Sequence, residues 1–305
     1  MSSTPAFRTD RLDESPRSGT RLIYWALQPV LLVSVLTAFY FNQYEPAMYL
    51  LCLVFVQLAL GVIEYQYPAR HTWIQPTGEK TGLITIAVLM GVVGALVSSW
   101  YHDVLVPPLA EIRQALHLDI WPHHWPVMAQ VFLAFFTSEF IWYWMHRAEH
   151  RWPLIWRVSA HGAHHAFKKL NAINSGANHP MEMFWIVLPP IIVELVFGVG
   201  NAMTGSLILL VTQASIAHSN LRLNTRGIGL FFTTNAYHIR HHSADFVESN
   251  TNYGCAAILW DRIFGTFVDS GVRDAGIGPR EPTTLEKLLI PIREPVGSVI
   301  APGSR

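Results

Sequence analysis

Ten of the 15 histidines fall between residues 146 and 242. They occur as His146-Arg-Ala-Glu-His150, His161-Gly-Ala-His164-His165, His179, His218 and His238-Ile-Arg-His241-His242. On a helix, residues three and four apart share one face, with about 5–6 Å between Cβ atoms. His146 and His150 therefore point the same way, and in each HxxHH the first histidine shares a face with both members of the later pair. Imidazole is a common ligand for Zn, Cu, Fe and Ni. A zinc site typically takes four ligands, so this many clustered imidazoles exceed one tetrahedral site, whereas two neighbouring metals would use them. His179 stands alone before Pro180 and reads as a turn or supporting residue, and His218 is isolated at a helix end. The other five (His71, His102, His117, His123 and His124) are scattered through loops.

Carboxylates accompany the histidines. Glu139, Tyr143, His146 and His150 form one helical stripe. An ionisable group inside an apolar helix is costly and faces the protein interior or a functional site. Glu139 is thus expected to support the histidines or to bind a neighbouring helix; Glu194, midway along a later apolar run, reads equally as a packing partner.

The elements that must position these residues are apolar. Hydrophobic residues make up 51% of the 305-residue chain and charged residues only 14%, against roughly 25% in a soluble domain; the mean hydropathy is +0.27. Lipid must cover part of the surface. Apolar runs occupy Leu22–Phe41, Ala47–Ile63, Gly82–Trp100, Val127–Met145, Met183–Val199 and Met203–Ala217. A spanning helix needs about 20 residues, within a range of roughly 17–25, which the first, third and fourth runs meet comfortably and the second only just. The last two are joined only by Gly200-Asn201-Ala202 and read as a tight hairpin, its first arm kinked at Pro189-Pro190. No short apolar core precedes a cleavage-like site near the N-terminus, so no cleaved signal peptide is expected. With six segments and both termini cytoplasmic, 20 of the 21 Lys and Arg residues fall on the cytoplasmic side, Arg113 in the 101–126 loop being the exception. Every clustered histidine then lies at the cytoplasmic face. The 21 basic and 21 acidic residues cancel, which argues against nucleic acid as a partner. Cys52 and Cys255 form no CxxC pair or disulfide framework.

The run Glu139-Phe-Ile-Trp-Tyr143-Trp-Met-His146-Arg147-x-x-His150, then Trp156-Arg and His161-x-x-His164-His165, resembles the fatty-acid hydroxylase / sterol desaturase superfamily. His179-Pro180-x-Glu182, His218-Ser219-Asn220, His238-x-x-His241-His242, Asn252-Tyr-Gly254 and Trp260-Asp261-Arg-x-Phe264-Gly265 extend the match over about residues 139–267. The chain departs from the pattern at Glu139, where Asp is frequent, and at Thr234-Asn235-Ala236-Tyr237, where Thr-Pro is common. It departs again at Ser175-Gly-Ala-Asn178, where an Arg often precedes the histidine, and at Arg222, where some members carry a further histidine.

The resemblance implies an all-α, polytopic membrane helical bundle with a cytosolic helical cap holding a histidine-rich di-metal site. It implies two non-haem Fe ions, with zinc as a possible mis-loaded metal, and O2 as co-substrate for hydroxylation or desaturation of a lipid such as a sterol, fatty acyl or ether lipid. The implied metal ligands are His146, His150, His161, His164, His165, His218, His238, His241 and His242, with Glu139, His179 and Asp261 supporting them. No GxGxxG follows a strand and no cysteine cluster is present, so electrons are expected from a separate protein, a ferredoxin or a b-type cytochrome with its reductase. The expected organisation is a polar tail (1–21), membrane helices and a loop (22–126), a histidine-box region (127–270) and a C-terminal tail (271–305). Two other classes compete. A zinc-dependent membrane hydrolase would want HExxH, yet Glu149 adjoins the second histidine of its pair. A metal transporter would place its site near the bilayer midplane, away from these helix ends.

Overall fold

The computed structural model describes residues 19–118, 120–272 and 274–292. Most of the expected polar N-terminal tail and the end of the C-terminal tail lie outside the described residues. Four long helices come first: α1 (Arg21–Phe41), α2 (Met48–Gln66), α3 (Thr77–Ala115) and α4 (Val127–Arg151). Short α5 (Pro153–Ser159) and α6 (Gly162–His165) lead into a 3-10 turn, Ala172–Gly176. The hairpin is α7 (Pro180–Ile186), α8 (Leu188–Phe197) and α9 (Ala202–His218). Short helices follow: α10 (Asn235–His241), α11 (Phe246–Ser249), α12 (Leu259–Phe264) and α13 (Thr284–Leu288). Helices are the only regular elements among the described residues, apart from an isolated bridge between Ser243 and Ala275.

Five stretches are long and apolar enough to cross a membrane: α1, α2, α3, α4 and the combined α7–α8. α9 is apolar but has 17 residues. It is buried nearly all round, as a helix apolar on every side must be, and it packs against α1, α2, α4 and the 172–176 turn. Close approach is written into Gly205, where a Cβ would come within 2.6 Å of both Phe39 on α1 and Val131 on α4. Helices without a water-driven attraction associate through such small residues. By contrast, the outer faces of α1–α3 expose Leu22, Val33, Leu58, Val88 and Leu96.

The proline pair acts as the sequence predicts. α7 stops at Ile186 and α8 restarts with Pro189 and Pro190 in its first turn, where a missing N–H costs little. The third helix differs from expectation. It does not end near Trp100 but continues to Ala115 through Pro107 and Pro108, so most of the 101–126 loop is helical. Val104, Val106, Leu109 and Ile112 keep a helical apolar rhythm there, and two adjacent prolines do not interrupt it.

Candidate metal centre

Local sequence rules place each histidine. Trp152 precedes Pro153, and a residue before proline is driven into extended conformation. Its φ and ψ of −118° and 117° end α4 directly after His150-Arg151. Ala160 then adopts a left-handed conformation (φ 60°), which turns the chain so that His161 heads the HxxHH segment back beneath α4. His218 closes α9, and His238, His241 and His242 sit on or at the end of α10.

The nine histidines converge in two groups, each with its ligand atoms within 4.8 Å of one another. One holds His146, His150, His161, His165 and His241, the other His164, His218, His238 and His242. All nine are buried. In the first group His146 Nε2 stands 2.9 Å from His161 Nε2 and 3.0 Å from His241 Nε2, and His150 Nε2 stands 3.2 Å from His161 Nε2. In the second, His218 Nε2 is 3.1 Å from His164 Nε2 and 3.0 Å from His238 Nε2, with His242 Nε2 a further 3.2 Å from His238 Nε2.

The opposite ring nitrogens show that several of these short separations are not hydrogen bonds. His146 Nδ1 donates to the Tyr253 carbonyl (2.6 Å), His241 Nδ1 to the Thr251 carbonyl (2.9 Å), and His161 Nδ1 to Glu182 Oε1 (2.6 Å). His150 Nδ1 faces Asn250 Oδ1 at 3.1 Å, and His218 Nδ1 donates to the Ala214 carbonyl at 2.8 Å. A ring that donates from Nδ1 while neutral carries a lone pair at Nε2. His146, His161 and His241 therefore aim lone pairs at one another. Such an array is repulsive unless a cation sits among them. Two nitrogens about 2.0–2.1 Å from a shared metal stand about 2.9–3.4 Å apart at angles between 90° and 109°, the spacing observed. Burial pushes His161, His164, His165, His238, His241 and His242 well below the ordinary imidazole value, with their mutual repulsion adding to it, so these rings stay neutral and able to ligate. The residues present thus fit metal ions.

The three expected supporting residues are placed differently from one another. Glu139 reaches no histidine: its Oε2 accepts from the backbone N–H of Ala256 (2.9 Å) and Ala257 (3.0 Å), pinning the 254–257 loop to α4. Asp261 acts at one remove, accepting from Tyr253 N and Gly254 N, both at 2.7 Å, and so fixing the segment whose carbonyl holds His146. Burial lifts its carboxyl to about 6, against the pull of the Thr266 hydroxyl and these amides. Gly254 has no room for a side chain, since a Cβ would press on Ala257 and on Asp261 Oδ2. His179 caps α7: its Nδ1 accepts from Met181 N, and its Nε2 donates to the Leu288 carbonyl. Both nitrogens are engaged away from the two groups.

Sequence reasoning passed over the direct partners. Glu182, quoted above only as part of a motif, is the carboxylate on a clustered histidine, and the His-Pro-x-Glu spacing was its signal. The carbonyls of Thr251, Tyr253 and Ala214 left no signal, because backbone acceptors have no residue type, and the side-chain Oδ1 of Asn250 left none because no spacing ties it to His150. Glu149 lies buried with Oε2 3.8 Å from His161 Nδ1, on the side of that ring away from the converging Nε2 atoms. That is the wrong side for a hydrolase's general base. Residues 274–292 cover the groups from the C-terminal side: Gly276 N donates to the His242 carbonyl (2.8 Å) and Ile277 N to the His165 carbonyl (2.9 Å). Ile277 packs on Trp156, and Ile290 on Ala160 and Ala163. A cavity of about 530 Å³ between α3 and α8, lined by Val106, Arg113, His117 and Glu194, involves none of the nine histidines.

The fatty acid hydroxylase family model matches residues 131–266, the stretch that carries this geometry. The ornithine lipid hydroxylase of Rhizobium tropici is 31% identical over 257 residues, covering 79% of this chain and 74% of that protein. The chain belongs to the fatty acid hydroxylase family. Human alkylglycerol monooxygenase is 25% identical over 64% of this chain and 43% of its own length. Human lathosterol oxidase is 33% identical over 143 residues, 46% of this chain and 45% of that one. The chain thus spans under half the length of these two human relatives. No solved structure matches. As a fatty acid hydroxylase family member with five spanning-length apolar helices, the protein is a multi-pass membrane oxidoreductase of the lipid hydroxylase and desaturase class.

Proposed function

We propose that the protein is a di-iron oxygenase that uses O2 to hydroxylate or desaturate a bilayer lipid. The observation that carries this reading is the set of inward-facing Nε2 lone pairs on His146, His161 and His241, beside a second group of four imidazoles. When bound, iron would supply the redox chemistry of O2 activation that zinc cannot, and neutral imidazoles ligate it without adding negative charge. The chain's own residues do the rest. His146, His150, His161, His165 and His241 would hold one ion, and His164, His218, His238 and His242 the other. Glu182 and the 250–253 segment set the tautomers of the first group. The packed α4–α9 pair and residues 274–292 exclude water from both groups. The histidines lie where α4, α9 and α10 end, so a lipid chain would arrive along the helices while electrons arrive from the aqueous side, from a ferredoxin or a b-type cytochrome. The distribution of Lys and Arg supports a cytoplasmic site with both termini on that side. The identity with an ornithine lipid hydroxylase favours a polar-headed acyl lipid as substrate and hydroxylation as outcome.

The test is elemental analysis of detergent-purified protein from iron-supplemented cells, followed by turnover of a lipid extract under 18O2 with an added electron donor. About two irons per chain and one 18O atom in a lipid product are expected. One zinc, or no metal under any loading condition, would return the site to the hydrolase class or to a structural histidine face.

A further inference from the structure

The two histidine groups are braced unequally. In the five-histidine group, four Nδ1 atoms meet an acceptor fixed by the protein: His146 at Tyr253, His150 at Asn250, His161 at Glu182 and His241 at Thr251. In the four-histidine group only His218 does, at the Ala214 carbonyl. His164, His238 and His242 are buried, and their Nδ1 atoms meet no acceptor among the described residues. An acceptor on the far nitrogen fixes the tautomer, holds the ring in plane with its metal and raises the basicity of the ligating nitrogen. Among the described residues, the one carboxylate in direct hydrogen-bonding contact with a clustered imidazole, Glu182 at 2.6 Å, belongs to the same braced group, and it is itself 1% exposed. An imidazole without such a partner must be ordered by the metal itself, at a cost in affinity.

We infer that the two metal positions are inequivalent. The five-histidine position retains its ion, the four-histidine position surrenders its ion first, and Glu182 is the positioning residue that sets the difference through His161. This rests on the two-metal reading above. In the five-histidine group His165 alone lacks such a partner among the described residues, against three rings in the other; losing one partner typically lowers metal affinity about 10–100-fold, so a difference of two should separate the positions by at least about 100-fold.

The experiment is a chelator titration of the full-length, iron-loaded protein in detergent, with bound iron per chain read by elemental mass spectrometry. Two steps with a plateau at one iron are expected. Glu182→Gln, which keeps the shape and removes the charge, should move only the tighter step, by about 10–100-fold. Asn250→Ala, on a partly exposed loop, should move the same step in the same direction and guards against misfolding of the first variant. Glu194→Gln, whose carboxylate binds Gly200 N at the far end of α8, should move neither step. A titration in which both irons leave together overturns the inference and leaves the two-metal reading standing. So does a plateau insensitive to Glu182→Gln and Asn250→Ala. A chain that never takes up two ions overturns the reading itself, and the inference with it.

Discussion

Helices α1–α3 and the half of the chain from α4 onward are both apolar, yet they use polar residues in opposite ways. In α1, α2 and α3 the buried positions are almost all hydrophobic, the exceptions being Gln28 and Glu64. From α4 onward, Glu139, Glu149, Glu182, Asp261, Asn235, Asn252 and the nine histidines are all buried, and most of them hydrogen-bond to one another or to backbone groups around the site. In the first half lipid decides residue identity, and many apolar side chains serve equally well. In the second half chemistry decides it, because each buried polar atom needs a particular partner. The family model accordingly begins at residue 131.

The contrast has a seam. Glu64 Oε1 accepts from Ala172 N (2.9 Å) and Asn220 N (2.8 Å), two residues beyond His218. Asn220 in turn binds the N–H and carbonyl of Arg70 through its side chain and Ala69 N through its carbonyl. Gln57 reaches Ser215 on α9. The N-terminal helices thus enter the site through the turn that carries His218.

Four experiments test this division. The largest effect belongs to the histidines: His164→Ala or His241→Ala should abolish activity and lower bound metal, and full metal with full turnover in either would remove that residue from the proposed centre. Next comes the seam. Glu64→Ala strands two buried amides, each costing about 1–3 kcal/mol, and should lower the thermal midpoint and loosen metal binding. Glu64→Gln keeps an acceptor and should restore most of the loss; equal damage from both would mean the charge, not the acceptor, matters.

Third is acidification of the metal-free protein. Burial holds His164, His165, His238 and His242 below the ordinary value in the folded state, while unfolded histidines titrate near about 6.5. The unfolded chain therefore takes up protons first, so stability should be full above about pH 6.5 and fall as the pH drops through it. A midpoint that is flat or rises from pH 7 to pH 5 would show the pockets to be open to water. Smallest is His123→Ala, in the loop between α3 and α4, expected to change neither metal content nor turnover. A measurable loss there would carry function across the seam.

The sequence disclosed much of this because helical spacing is a strong code. The HxxxH and HxxHH repeats place their imidazoles together wherever the helices lie, and Pro189-Pro190 announces the break in the hairpin. What stayed hidden depends on contacts between distant segments. His179 looked like a support for metal ligands, yet its nitrogens bind Met181 and Leu288. Glu139 shares a helical stripe with His146, but a shared stripe does not reveal the amides of Ala256 and Ala257 opposite it. The continuation of α3 to Ala115 escaped because the apolar run is interrupted after Trp100 by His102-Asp103, and hydropathy does not report a helix that runs on through polar residues and a proline pair.

The segment from Gly276 to Ile290 has a consequence in time. It is synthesised after every histidine it covers, so during translation all nine imidazoles exist before Gly276 and Ile277 can bond to His242 and His165. Metal would have an open approach in that interval and a roofed one afterwards. Assembly of the proposed centre would thereby follow the order in which the chain is made.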